Sequence, residues 1–212
     1  AGKRKQFLLL QMRPMVLAGE SEQVRIGAVP EDDLVCASAQ VLGHGRIEGI
    51  QDVVVVDRDA MDRASTRDVA RIVGQLNAEL LALGRPYALF GAGRWGSSEP
   101  WLGIPVTWDQ IAGARVIVEA EPRDLHVAPS QGSHFFHNLT SALVGYFTVG
   151  PSGGRVEWEW LRGQKAQREE GCVRWVRFAE PLTVVMDSRE GRGVILKPGR
   201  SLNGGPNGEN GG

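Results

Sequence analysis

Apolar and polar positions change period several times along this chain, and each change marks an element. Val53, Val54, Val55 and Val56 stand unbroken between Asp52 and the pair Asp57 and Arg58. A run of that kind over 52–58 predicts a strand buried on both faces. A helical period follows, with Val69, Ile72, Val73, Leu76, Leu80 and Leu83 on one stripe, and predicts a helix packed along one side. Ser65 and Asp68 form a capping-box-like pair at its start, and Gly84 and Pro86 stop it. Tyr87, Ala88, Leu89 and Phe90 make a short strand that enters a glycine-rich loop. Thr107 and Gln110 are placed to cap a brief helical turn. Further strands are predicted at 34–41, 115–119 and 146–149, and a helix at 133–143. A first strand at 6–12 ends at Pro14. Between it and 34–41 lies a segment rich in Gly, Glu, Asp and Pro (18–33), read as a linker with a short strand at 24–26.

The later chain reads as strands. Positions 155–160 alternate strictly, with Val156, Trp158 and Trp160 opposite Arg155, Glu157 and Glu159. That period predicts a half-buried antiparallel strand. Another strand is expected at 173–178. Segments 182–186 and 193–197 flank Ser188, Arg189, Glu190 and Gly191 as a hairpin. From Pro198 onward almost nothing is left to bury, so a disordered C-terminal tail is expected. The whole predicts a mixed α/β (α+β) fold: a mixed sheet with a few helices and late antiparallel strands.

Charge narrows the functional classes. The 24 Lys and Arg nearly balance the 25 Asp and Glu, so no basic field argues for nucleic acid. No apolar run approaches the ~20 residues of a membrane span. The two cysteines, Cys36 and Cys172, read as buried reduced thiols, which places the chain in the cytoplasm.

Two stretches carry candidate chemistry. The first, 91–105, includes Gly91, Gly93, Arg94, Trp95, Gly96, Ser97, Ser98, Trp101 and Gly103. It contains G-x-G-x-x-G after a strand, but a dinucleotide loop must open onto a helix, and Pro100, Gly103 and Pro105 exclude one. Arg94 offers a planar fork of donors to a phosphate or carboxylate, Ser97 and Ser98 offer hydroxyls, and Trp95 and Trp101 offer flat walls. The same residues are equally compatible with a tight loop whose tryptophans fill a core. The second stretch, 129–141, places Ser130 or Ser133 at a helix start, where backbone N–H groups suit an anion. His134, Asn138 and Ser141 fall near one helical face, and His134 can act as a base or phosphate donor. A capped surface helix is the structural alternative. His134 and His137 as metal ligands lack an evident third partner.

The opening Leu10, Gln11, Met12, Arg13 and Pro14 resembles the last strand of the ATP-grasp-like nucleotide-binding domain of phosphoenolpyruvate synthase and pyruvate phosphate dikinase. The 93–106 and 129–136 stretches resemble the C-terminal region of bacterial proteins with a PEP/pyruvate-binding domain. The resemblance implies that 1–17 closes an upstream ATP-grasp domain, a partner within one longer protein, and that 18–198 is a C-terminal α/β domain followed by the tail at 199–212. It implies ATP and Mg²⁺ as cofactors, with Gln11 on the metal and Arg13 on the nucleotide phosphates, roles that suit a neutral carbonyl oxygen and a guanidinium. Arg94, Ser97, Ser98 and His134 then line a second site for a small anionic metabolite such as pyruvate, PEP or phosphate. The dikinases relay phosphate through a histidine, which Ser133 and His134 echo, although Phe135 and Phe136 follow where that family has small residues. The family's acidic metal ligand and its glycine loop over ATP are absent from this sequence. The alternative reading is a non-catalytic regulatory or assembly module that binds an anion.

Overall fold

The computed structural model describes residues 24–57, 60, 65–97, 99, 102–121, 133–150 and 153–202, with only the backbone at 133, 134 and 136. The expected strand at 6–12 and the tail beyond 202 lie outside these residues. In chain order the elements are β1 (Leu34–Ser38), β2 (Gln40–Leu42), β3 (Gly45–Val56), α1 (Thr66–Ala82), β4 (Tyr87–Ala92), β5 (Arg94–Trp95), β6 (Gly103–Ile104), β7 (Ala114–Ala120), α2 (Ser133–Ser141), β8 (Gly145–Val149), β9 (Gly154–Val156), α3 (Trp158–Gly163), β10 (Ala166–Glu170), β11 (Val173–Asp187) and β12 (Arg192–Leu196). Short 3₁₀ turns lie at Glu31–Asp33 and Trp108–Gln110. The fold is mixed α/β, as the pattern predicts.

One large sheet has the order β2-β8-β7-β4-β3-β11-β12-β1-β9, and β10 adds beside β11. Strands β3, β4, β7 and β8 run parallel, and the others pair antiparallel. The valine run explains its central place. Val54 and Val56 join α1 in one core, while Val53 and Val55 join Val35, Leu182, Val184 and Ile195 in a second core on the opposite face. Each fully buried valine contributes about 1.5 kcal/mol or more, so a strand this apolar belongs in the middle.

Helix α1 lays Val69, Ile72, Val73, Leu76 and Leu80 on the first core. Ser65 occupies its N-cap without the side-chain capping bond that the pairing with Asp68 suggests. Its end matches the prediction: Gly84 takes the left-handed conformation (φ 63°), Arg85 N–H donates to Leu80 O, and Gly84 N–H donates to Leu81 O. This is a Schellman end, and it turns Leu83 off the stripe, leaving it 50% exposed. At the second 3₁₀ turn Thr107 N–H donates to Gln110 Oε1 at 2.9 Å, as that pair predicts.

Several expectations are corrected. The strand at 34–41 is broken at Ala39: β1 pairs with β12 and β9, and β2 pairs with β8. The Ser38 hydroxyl accepts the Gln40 N–H and donates to the Thr148 carbonyl at this kink. The sheet therefore curls until its two ends meet in one segment, enclosing the second core. The segments 173–178 and 182–186 are one strand, β11, whose register slips between Arg177 and Leu182. Pro181 lies in that slip and has no N–H to give a ladder. Residues 24–26 form no strand, yet Val24 and Ile26 are buried with Leu34, Val185, Val194 and Leu196 in a third cluster, so the linker reading fails there. Leu202 packs on the same cluster, and Arg200 lies 3.1 Å from Asp33, so 199–202 belong to the folded body rather than to the tail.

The clearest miss is 155–160. Strand β9 stops at Val156, and Trp158 begins helix α3. Alternation over six positions cannot be told from a short helix anchored at i and i+3, here Trp158 and the buried Leu161. A helix of this length is not stable by itself. The Arg174 guanidinium holds its end, donating to Leu161 O (3.2 Å), Arg162 O (2.6 Å) and Gln164 O (2.9 Å). Arg174→Ala is expected to cost about 2 kcal/mol by urea denaturation, because these carbonyls lose charged donors. Arg174→Lys should recover little, since a point charge cannot serve a fork's geometry.

Both cysteines are free and buried, as expected. Burial pushes each thiol pKa up. The unfolded chain gives up these protons from about pH 8.5, while the folded chain keeps them. Stability is therefore full below that value and falls as pH rises above it, by about 1 kcal/mol per pH unit for Cys36. Urea melts between pH 8 and 9.5 should show this slope, and Cys36→Ala should reduce it, leaving the share of Cys172.

Candidate functional site

The carboxyl ends of β3, β4, β7 and β8 lie along one edge of the parallel half of the sheet. Both candidate stretches lead from that edge. The connection from β7 leads to α2, whose Leu139 lies in the same core as α1, while the chain after β8 leads to β9 and α3, whose Leu161 lies in the opposite core. Ligands of open α/β sheets bind outside the carboxyl ends of the strands, where neighbouring exits diverge in this way. At this edge the ends of β7 and β8 stay joined: Glu121 N–H donates to Val149 O at 2.7 Å.

The glycine-rich stretch folds back on itself at this edge. β5 pairs with β6, matching Arg94 to Gly103 and Trp95 to Ile104. Gly93 N–H donates to Ala120 O, Arg94 N–H to Leu102 O and Gly96 N–H to Ile104 O, at 2.8–2.9 Å. Trp95 is 1% exposed, and its Nε1 donates to Val118 O at 3.2 Å. A Cβ on Gly91 would stand 2.4 Å from the indole ring, so that glycine makes the hollow that Trp95 fills. Trp95 is therefore a core residue and not a wall for a ligand. The other proposed wall, Trp101, lies outside the described residues.

Beneath the loop sits Glu119, 4% exposed. Its Oε2 accepts the Tyr146 hydroxyl at 2.6 Å and the Trp95 backbone N–H at 3.2 Å. The Tyr146 ring meets Phe135 edge to face at 6.3 Å, and Phe135 meets Trp108 likewise at 6.2 Å. Gly96 lies over the Phe135 ring. The two stretches, far apart in sequence, thus meet through Trp95, Glu119, Tyr146 and Phe135. At the end of β3, Asp57 takes a bidentate pair of hydrogen bonds from Arg162 of α3, at 2.6 and 3.0 Å.

The predicted site residues are placed as follows. Arg94 is half-buried on the loop. The Ser97 hydroxyl accepts the Glu99 N–H at 3.2 Å, which shapes the local turn. Ser98 lies outside the described residues, as do Gln11 and Arg13. His134 lies in the first turn of α2, and its side chain is not among those described. His137 is exposed on the same helix. Among the described residues no group of three His, Cys, Asp or Glu side chains is arranged to hold a metal ion. No helix among them is long and apolar enough to cross a membrane.

Sequence reasoning missed Glu119 and Tyr146. Glu119 did leave a signal, because a carboxylate near the end of an otherwise apolar strand must find donors. Tyr146 left none, since it reads as one more apolar strand residue. No protein-family model, curated protein or solved structure matches this chain.

Proposed function

We propose that this chain is the C-terminal part of a phosphoenolpyruvate synthase-like, ATP-dependent phosphotransferase, and that the carboxyl edge of its parallel strands binds a small anionic metabolite: pyruvate, PEP or phosphate. The observation that carries the reading is that Trp95 and Gly96 of the first stretch and Phe135 of the second adjoin beside the parallel strands, through Glu119 and Tyr146. Arg94, Ser97, Ser98 and His134 would contact the anion there. Gln11 and Arg13 would complete a Mg²⁺ and ATP site with an upstream ATP-grasp domain, in the cytoplasm. A carboxamide oxygen and a guanidinium suit that metal and those phosphates, and ATP supplies the transferable phosphoryl group when bound. This chain's own part is to bind and orient, so by itself it should turn over little substrate.

Two substitutions test the proposal. In the full parent protein, Arg13→Ala should abolish ATP-dependent turnover; unchanged turnover would leave only the anion-binding module. In this chain, Arg94→Ala should weaken PEP binding about tenfold by calorimetry, the loss of one charged hydrogen-bonding partner. Equal affinity in the two proteins would remove Arg94 from the site.

A further inference from the structure

We infer that Glu119 is a positioning residue for the anion site, setting the peptide that carries Arg94. The inference rests on the ligand reading proposed above. The Trp95 N–H belongs to the peptide joining Arg94 to Trp95, so the carboxylate that accepts it fixes the plane from which the Arg94 side chain departs. Glu119 is itself held on β7, next to β4 and β8, and its Oε2 is aimed by the Tyr146 hydroxyl of β8 at 2.6 Å. A buried carboxylate must find donors, and the Trp95 N–H and the Tyr146 hydroxyl are two of those that Glu119 has. A defined loop geometry depends on it here, since one donor is the loop's own Trp95 N–H and the other comes from the neighbouring strand β8. Neighbouring bonds fix the ends of the same loop: Gly93 N–H to Ala120 O and Gly96 N–H to Ile104 O. Glu119 fixes its middle. The Glu119–Tyr146 pair therefore sets anion affinity without touching the anion, through the direction it gives Arg94.

The test measures binding of PEP, pyruvate and inorganic phosphate by calorimetry, with circular dichroism and melting temperature for each protein. Glu119→Ala should weaken all three ligands about tenfold, the value of one hydrogen bond to a charged group. Glu119→Gln keeps an acceptor oxygen for both donors and should recover to within about threefold of wild type. A role in stability alone would make affinity follow the melting temperature, whereas positioning makes it follow the acceptor. Should Glu119→Ala not fold, Tyr146→Phe carries the test, because it removes the hydroxyl that aims the carboxylate and should weaken binding about threefold at retained secondary structure. Wild-type affinity in Glu119→Ala, or in Tyr146→Phe where that variant must stand in, overturns the inference. So does a Glu119→Gln protein no better than a folded Glu119→Ala. The Arg94→Ala protein separates the two ideas. If wild type binds and Arg94→Ala does not, while Glu119→Ala binds normally, the ligand reading survives and positioning falls. If wild type binds none of the three anions, both fall together.

Discussion

Trp95→Ala should lower stability by about 4 kcal/mol, the usual cost of emptying a core site of an indole. Trp95 is 1% exposed and packs in the first core with Ile104, Val106 and Leu139. Three losses add in this variant: the apolar burial, the Nε1 hydrogen bond to Val118 O, and the filling of the hollow above Gly91. Trp95→Phe should recover roughly half of the loss, since it restores apolar volume but no donor. Gly91→Ala presses on the same ring from below and should cost about 2 kcal/mol by overpacking. Urea unfolding followed by circular dichroism measures all three. A Trp95→Ala cost under about 1 kcal/mol would contradict a buried indole. Iodide quenching gives an independent check, because a shielded Trp95 contributes fluorescence that the ion does not reach.

The second large effect is expected at Asp52. Its carboxylate is buried within β3 and accepts the Trp175 Nε1–H and an Arg177 N–H, both at 2.8 Å. Asp52→Ala leaves a buried indole N–H without its acceptor and a guanidinium without its counter-charge, a loss of about 3 kcal/mol. Asp52→Asn keeps an oxygen for Trp175 and should lose about 1 kcal/mol. Arg177→Ala should cost about 2 kcal/mol, more than Asp52→Asn, because it leaves a carboxylate that is only 2% exposed without its counter-charge. An Asp52→Asn loss equal to that of Asp52→Ala would show that charge, and not the accepted hydrogen bond, dominates there.

Much of this architecture was legible in the residue order because its causes are local. The four valines of β3 have no polar position to offer solvent. The stripe of α1 has a helix period, and Gly84 supplies the left-handed residue that ends it. The β11–β12 hairpin follows from its turn residues. Misreadings arose where the cause is distant. The register slip of β11 at Pro181 joins two predicted strands into one because both halves pair with β3, a strand more than a hundred residues away. Trp158 and Trp160 sit on a helix because β1 gives β9 only three partners and Arg174 caps the turn that follows.

The candidate site divides in the same way. The glycines, Arg94, the serines and the helix start at 133 announce themselves by residue type and spacing, and so did the class of fold. That Trp95 faces inward, that Glu119 rather than a solvent-facing group holds the loop, and that the two stretches adjoin at one edge were decided by packing. Local order is written by backbone preference and hydrophobic period, which act within a few residues. Which polar group lies beside which depends on strand register and on the curl of the sheet, and these exist only once distant segments have buried one another.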